Sequence, residues 1–244
     1  MPDDARARRP SGPPGRRDWT PQDGNPSTCH HGRVTTPLTP AEAWAALKAG
    51  NDRFVNDEML HPSQGVDRRS EVQHGQNPFA VLFGCSDSRV AAEIIFDRGL
   101  GDLFVVRTAG HVLDTTVVGS IEYGVSVLGT PLVVVLGHDS CGAVAAATEA
   151  LTRGTQAPGL VSAVVDRVIP SIVGLTRTGE PVENLSAAAL GHEHVKHTVL
   201  MLQRFSVTLA DAVAAGRCAI VGLEYTLTDG RVRVAEVVGD IGEV

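Results

Sequence analysis

The sequence predicts an α/β fold in which a mostly parallel central sheet is flanked by helices and finished by a C-terminal hairpin. Three short runs, Phe79–Phe83, Leu103–Val106 and Leu132–Leu136, are apolar without alternation, as strands buried on both faces must be. Helical segments fall between and after them, and strand–helix–strand order points to parallel pairing through right-handed crossovers. Two further strand-like runs flank Asp229-Gly230, a hairpin turn signal.

Residues 1–38 carry paired arginines, many prolines and almost no large aliphatic side chains. Such a segment cannot bury enough apolar surface to offset its ordering entropy, so a disordered tail is expected. No apolar stretch of roughly 7–15 residues follows Arg8-Arg9 or Arg16-Arg17, and export is not expected. Order is expected from Thr39, with residues 39–244 forming a single domain. Thr39-Pro40-Ala41-Glu42 has the form of a capping box with proline at N1. Ala43, Trp44, Leu47, Phe54 and Val55 then recur at helical spacing, although Gly50 weakens that helix locally. Further helices are expected near Ala91–Ile95, Val118–Leu128 and Ala143–Leu151, and over a later region, Ala187–Ala215. Cys218–Leu227 and Arg231–Val238 form the hairpin strands. Neither an internal repeat nor a second core is visible.

Composition narrows the function classes. The 244 residues carry a net charge of −7, and no concentrated basic face suggests a nucleic-acid partner. The longest apolar runs fall far short of the ~20 residues of a membrane-spanning helix. Four cysteines are too few for a disulfide scaffold of this length.

Two of those cysteines are placed for chemistry. Cys85 follows the first strand run, and His138 and Cys141 follow the third, so all three are expected at the carboxyl edge of a parallel sheet, where ligand sites form. Cys–His–Cys is a favoured zinc set, and three protein ligands leave a fourth position open, as in catalytic sites. The bland alternative is a small apolar filler at a strand end. Against it stands Cys85-Ser86-Asp87-Ser88-Arg89, which places an acid and an arginine directly after the thiol, able to form a bidentate pair. His192, His194 and His197 also cluster, but beside Glu193 and Lys196 they read as a solvated helix face. Cys29 and Cys218 read as incidental. Neither common glycine-rich phosphate cradle is present.

At Cys85-Ser86-Asp87-Ser88-Arg89-Val90, Phe104-Val105-Val106-Arg107-Thr108-Ala109-Gly110 and Gly137-His138-Asp139-Ser140-Cys141-Gly142 the sequence resembles the β-class carbonic anhydrases, most closely the actinobacterial members. The resemblance runs from about Thr39 to the C-terminus. It implies that Cys85, His138 and Cys141 hold one zinc ion, with water or hydroxide as the fourth ligand. It implies that Asp87 pairs with Arg89 and orients the zinc-bound hydroxide for attack on carbon dioxide, giving bicarbonate. Gln76, Phe104, Tyr123 and Gly142 match substrate-pocket positions, Phe104 and Tyr123 lining an apolar cleft at a dimer interface. The family fold implies a homodimer, often paired into a homotetramer, and the metal thiolates fit a reducing cytoplasm. Thr108 and His111 depart from the asparagines common in the family. Leu82 stands where some members carry the tryptophan of a second, inhibitory bicarbonate site, so that site is not expected.

The chemistry can be argued from first principles as well. Zinc lowers the pKa of bound water from about 15.7 toward ~7. Two thiolates cancel most of its charge, so a less acidified water and a preference for alkaline pH are expected. If Asp87 swung away from Arg89 it would become a fourth zinc ligand and close the site, which makes Arg89 a latch. Two alternatives remain: a hydrolase of carbon disulfide or carbonyl sulfide on the same fold, and a zinc-binding regulatory module without turnover. The Asp87–Arg89 pair argues against the module, since a structural zinc site has no use for it.

Overall fold

The computed structural model describes residues 38–176 and 179–243. The arginine-rich segment, with Cys29, lies outside them. The first helix, α1 (Pro40–Val55), starts as the capping box requires: Thr39 Oγ1 accepts from the Glu42 amide at 3.2 Å, and Glu42 accepts from the Thr39 amide at 2.8 Å. Gly50, unfavourable for a helix on propensity, is required by packing, because a Cβ there would stand 1.9 Å from the carbonyl oxygen of Phe96. A short α2 (Val66–Val72) follows.

The sheet is then laid down. β1 (Ala80–Cys85), α3 (Ala92–Ile95), β2 (Leu103–Thr108), α4 (Thr115–Ser126), β3 (Leu132–His138) and α5 (Gly142–Arg153) alternate as expected. After α6 (Val161–Thr176) come α7 (Ala187–Phe205), α8 (Val207–Ala214) and the closing strands β4 (Ala219–Tyr225) and β5 (Val232–Val238). The strand order is β2-β1-β3-β4-β5, with β1 parallel to β2 and β3, β3 parallel to β4, and β5 antiparallel to β4.

Side chains alternate between the faces of the sheet, and each face has its own cover. Leu82, Leu132, Val134 and Leu136 pack toward Trp44, Leu47 and Phe96, while Val81, Phe83, Val133 and Val135 pack toward Ile121, Val195, Val199 and Leu202. A third cluster lies at the carboxyl edge, where Val112, Val144, Val165, Val168 and Ile172 surround Cys85 and Cys141.

Several boundaries and elements differ from those expected. β1 and β3 run about two residues beyond the expected ends, so Cys85 and His138 are the last residues of their strands and not the first of their loops. The helical region expected over Ala187–Ala215 is two helices, broken at Ser206, whose side chain accepts from the Leu209 amide and caps the second. The helix α6, with Pro170 inside it, was not foreseen. Among the described residues no helix is long and apolar enough to cross a membrane.

Candidate metal centre

Register brings the ligands together. In the β1–β3 pairing Gly84 lies opposite Leu136, so Cys85 and His138 end adjacent strands within one residue of level, and adjacent strands are about 4.8 Å apart. The chain then turns through Ser140, in the left-handed region at φ 54°, and returns Cys141 as the N-cap of α5. Asp139 anchors this turn: its amide donates to the Tyr225 carbonyl at 3.1 Å and its Oδ1 accepts from the Leu227 amide at 3.0 Å. The outcome is a buried trio, Cys85, His138 and Cys141, whose ligand atoms all lie within 4.8 Å of one another.

The surroundings of each ligand suit a cation. His138 Nδ1 lies 2.7 Å from the Asp139 carbonyl oxygen, which can only accept, so the proton sits on Nδ1 and the Nε2 lone pair faces the thiols. That Nε2 is buried without a hydrogen-bond partner, an arrangement that costs free energy unless something electropositive meets it. The neighbouring Cys141 holds the Cys85 pKa well below the ordinary thiol value against the penalty of burial, while Cys141 is pushed up by the same neighbour and by burial. Two adjacent thiols are a pair whose protons a divalent cation would displace on binding. The amides of Ala143 and Val144, at the start of α5, favour the Cys141 thiolate, and the Gly110 amide donates to Cys85 Sγ at 3.3 Å.

Asp87 and Arg89 meet as expected. Arg89 donates from Nε to Oδ1 at 2.9 Å and from its terminal nitrogen to Oδ2 at 2.7 Å, and its backbone amide adds a third bond at 2.9 Å. The paired guanidinium and this amide hold the Asp87 carboxyl well below the usual carboxylate range. Asp87 Oδ2 stands 3.9 Å from His138 Nε2, so the ionised carboxylate borders the position the ligands enclose. Arg107 fixes the loop, donating to the carbonyls of Cys85 at 2.9 Å and Asp87 at 2.6 Å. Its place inside a quoted motif was the available signal for that role.

Other expected site residues lie elsewhere. Gln76 is exposed, ahead of β1, hence at the amino edge of a sheet whose carboxyl edge carries Cys85. Phe104 pairs with Val81, four residues before Cys85, or about 13 Å along the strand. Tyr123 is 40% exposed and packs on Phe104 with ring centroids 6.0 Å apart. Within one chain these three residues therefore do not join the metal trio. Gly142 opens α5 next to Cys141 and faces open space.

The histidine cluster is no solvated face. His194 is 2% exposed, and His192 is bonded to Glu224 at 2.9 Å. Among the described residues Cys85, His138 and Cys141 form the one cluster of histidine, cysteine and acidic side chains placed to hold a metal. Cys218 is buried beside β4, where burial pushes its thiol up to about 12.

A family model described as carbonic anhydrase matches residues 80–232. A carbonic anhydrase of Mycolicibacterium smegmatis is 55% identical over 210 residues, covering 84% of this chain and 98% of that protein. Carbonic anhydrase 2 of Mycobacterium tuberculosis is 53% identical over 209 residues, covering 84% and 97%. Among solved structures, the Coccomyxa β-carbonic anhydrase in complex with acetazolamide superposes with a TM-score of 0.59 at 25% identity, over 70% of this chain and 78% of that one. The Aspergillus fumigatus β-carbonic anhydrase CafA gives a TM-score of 0.60 at 26% identity, over 82% and 92%.

Proposed function

The chain belongs to the β class of the carbonic anhydrase family, a lyase interconverting carbon dioxide and bicarbonate, and we propose that it works with one zinc ion held by Cys85, His138 and Cys141. Supporting zinc is the donor set: two thiols and one imidazole suit a borderline-soft cation, and the buried lone pair of His138 Nε2 is otherwise unmatched. Zinc held there supplies the Lewis acidity that brings a water near to losing its proton at neutral pH.

The remaining roles belong to the protein. Two thiolates balance the charge of the cation, and the Asp139 carbonyl fixes the imidazole tautomer. Asp87, kept ionised and turned by Arg89, can only accept hydrogen bonds. It takes one from the attacking oxygen and so directs a lone pair at the carbon of carbon dioxide. Arg89 acts as the latch that keeps Asp87 off the metal position; released, Asp87 would be free to join Cys85, His138 and Cys141 in holding a metal. Gly142, without a side chain, leaves the approach beside Cys141 open.

Gln76, Phe104 and Tyr123 enter by a different route. They sit at the sheet edge opposite the ligands, with the Tyr123 ring exposed. They complete a pocket when a second copy of the chain lays this edge over the metal trio, which makes the working unit a homodimer or a homotetramer built from it. We place the catalytic unit in residues 39–244, and its thiol ligands in a reducing cytoplasm.

The observation that carries this reading is the convergence of Cys85, His138 and Cys141 within 4.8 Å of one another, with Asp87 Oδ2 at 3.9 Å from His138 Nε2. Stopped-flow carbon dioxide hydration from mildly acidic to alkaline pH, alongside zinc content and solution mass, tests it. One zinc per chain, an oligomeric mass and turnover rising with pH are expected. Full zinc occupancy without hydration would instead make the protein a non-catalytic module.

A further inference from the structure

Gly110 donates its amide to Cys85 Sγ from an unfavourable piece of backbone. Gly110 has φ 62° and ψ 22°, and His111 follows at φ 41°. Glycine adopts this region freely, but His111 carries a side chain there, a conformation that its surroundings must hold.

The restraint comes from α7. His194 Nε2 lies 2.8 Å from the Gly110 carbonyl oxygen, and since a carbonyl only accepts, Nε2 carries the proton. The imidazole ring of His194 packs against that of His111, tilted by 38° with centroids 4.3 Å apart. His194 is fixed in turn by Ser171 of α6, whose Oγ is 3.1 Å from Nδ1 and 2.6 Å from the Val168 carbonyl. His111, Ser171 and His194 are each at most 2% exposed. Burial holds both imidazoles neutral, His194 with its pKa lowered to about 4, so the single Ser171 hydroxyl proton lies between two acceptors, the Val168 carbonyl and His194 Nδ1. The two peptide groups around Gly110 are thus pinned from opposite sides, the carbonyl by His194 and the amide by a metal-binding sulfur.

Resting on the zinc assignment above, we propose that His194 is a positioning residue for the metal centre: it holds the Gly110 carbonyl so that the Gly110 amide stays aimed at Cys85 Sγ. A hydrogen bond to a thiolate withdraws electron density that the sulfur would otherwise give to the metal, and so sets how strongly that metal acidifies its water. His194 touches neither metal nor substrate. Its influence passes through one backbone residue.

Cobalt(II) substitution gives the test, because the sulfur-to-cobalt charge-transfer absorption reports on the thiolates whether or not the enzyme turns over. In His194→Ala that band shifts, and zinc affinity measured against a competing chelator falls by about 10–100-fold. His194→Gln, which can offer a side-chain N–H to the same carbonyl, restores most of both. Ser171→Ala, a milder change that frees the ring, moves both in the same direction by less, and reports if His194→Ala fails to fold. Wild-type and variant proteins with one cobalt spectrum and one zinc affinity, differing only in thermal stability, would overturn the positioning role and leave the zinc site standing. A wild-type protein that binds neither cobalt nor zinc would overturn the zinc assignment, and this inference with it.

Discussion

Replacing Gly110 by alanine separates conformational cost from crowding at the metal centre. At φ 62° an added methyl costs roughly 1–2 kcal/mol from backbone conformation alone. That methyl would also stand 2.5 Å from the Cβ of Ala143, where carbon atoms normally approach to about 3.5–4.0 Å. About 1 Å of displacement is therefore required, either of the Gly110 loop, which carries the amide facing Cys85, or of the first turn of α5, which carries Cys141. Overpacking of this kind costs about 1–3 kcal/mol, for a total near 2–5 kcal/mol. Gly129 supplies the comparison: at φ 71° its added methyl would meet nothing within 4 Å, so Gly129→Ala bears the conformational cost only. Urea unfolding of both variants, with zinc content and hydration rate alongside, measures the difference. Gly110→Ala is expected to unfold at a midpoint about 1–2 M lower than wild type, and to lose zinc affinity and turnover. Gly129→Ala is expected to lose a smaller amount of stability and no zinc. Equal midpoints for the two variants, or a destabilised Gly110→Ala that binds zinc as the wild type does, would refute the coupling of this loop to the ligands.

The latch gives a second test: Arg89→Ala is expected to keep its zinc and lose hydration activity, since Asp87 retains only the backbone amide bond; retained turnover would exclude the latch. Zinc removal by a strong chelator should abolish hydration and lower the melting temperature, and restored zinc should recover both. At a free zinc level 1,000-fold above its dissociation constant the metal contributes about 4 kcal/mol. Far from the site, Asp97 accepts from Arg53 Nε at 2.6 Å and from the amides of Leu60 and His61 at 3.0 and 2.9 Å. Burial raises its pKa, but these donors outweigh burial and leave it below the usual value. The unfolded chain therefore takes up this proton first on acidification, so the stabilisation is complete above about pH 4 and is lost below it. Asp97→Asn is expected to be about 2–4 kcal/mol less stable at neutral pH, with the gap from wild type closing under acid in chemical unfolding. Buried, neutral His111 and His194 add an acid sensitivity that starts below about pH 6.5, common to both proteins and so absent from the difference.

What the sequence discloses follows from where its information lies. The buried strands were legible because a strand covered on both faces writes an unbroken apolar run. Their ends were not, since Gly84 and Gly137 are poor strand formers and interrupt the apolar run. The clustering of Cys85, His138 and Cys141 was legible in residue type and spacing, and so was the Asp87–Arg89 pair. His194 was misread because Glu193 and Lys196 flank it, although Leu190, Thr198 and Leu202 share its face and are buried with it, which is the helical stripe that decides burial. α6 carries Pro170 inside it, which masks its helical pattern in the sequence. Gln76, Phe104 and Tyr123 match pocket positions by resemblance, yet the strand register sets Phe104, with the Tyr123 ring against it, four residues back from Cys85, and Gln76 lies ahead of β1. Gly110 is the most instructive case. Its contributions to Cys85 and from His194 are both made by backbone atoms, which every residue possesses, across 25 and 84 positions of chain. Side-chain identity names the candidate metal ligands, but the hydrogen bonds proposed to tune them belong to the main chain, and only the fold decides which main-chain groups arrive.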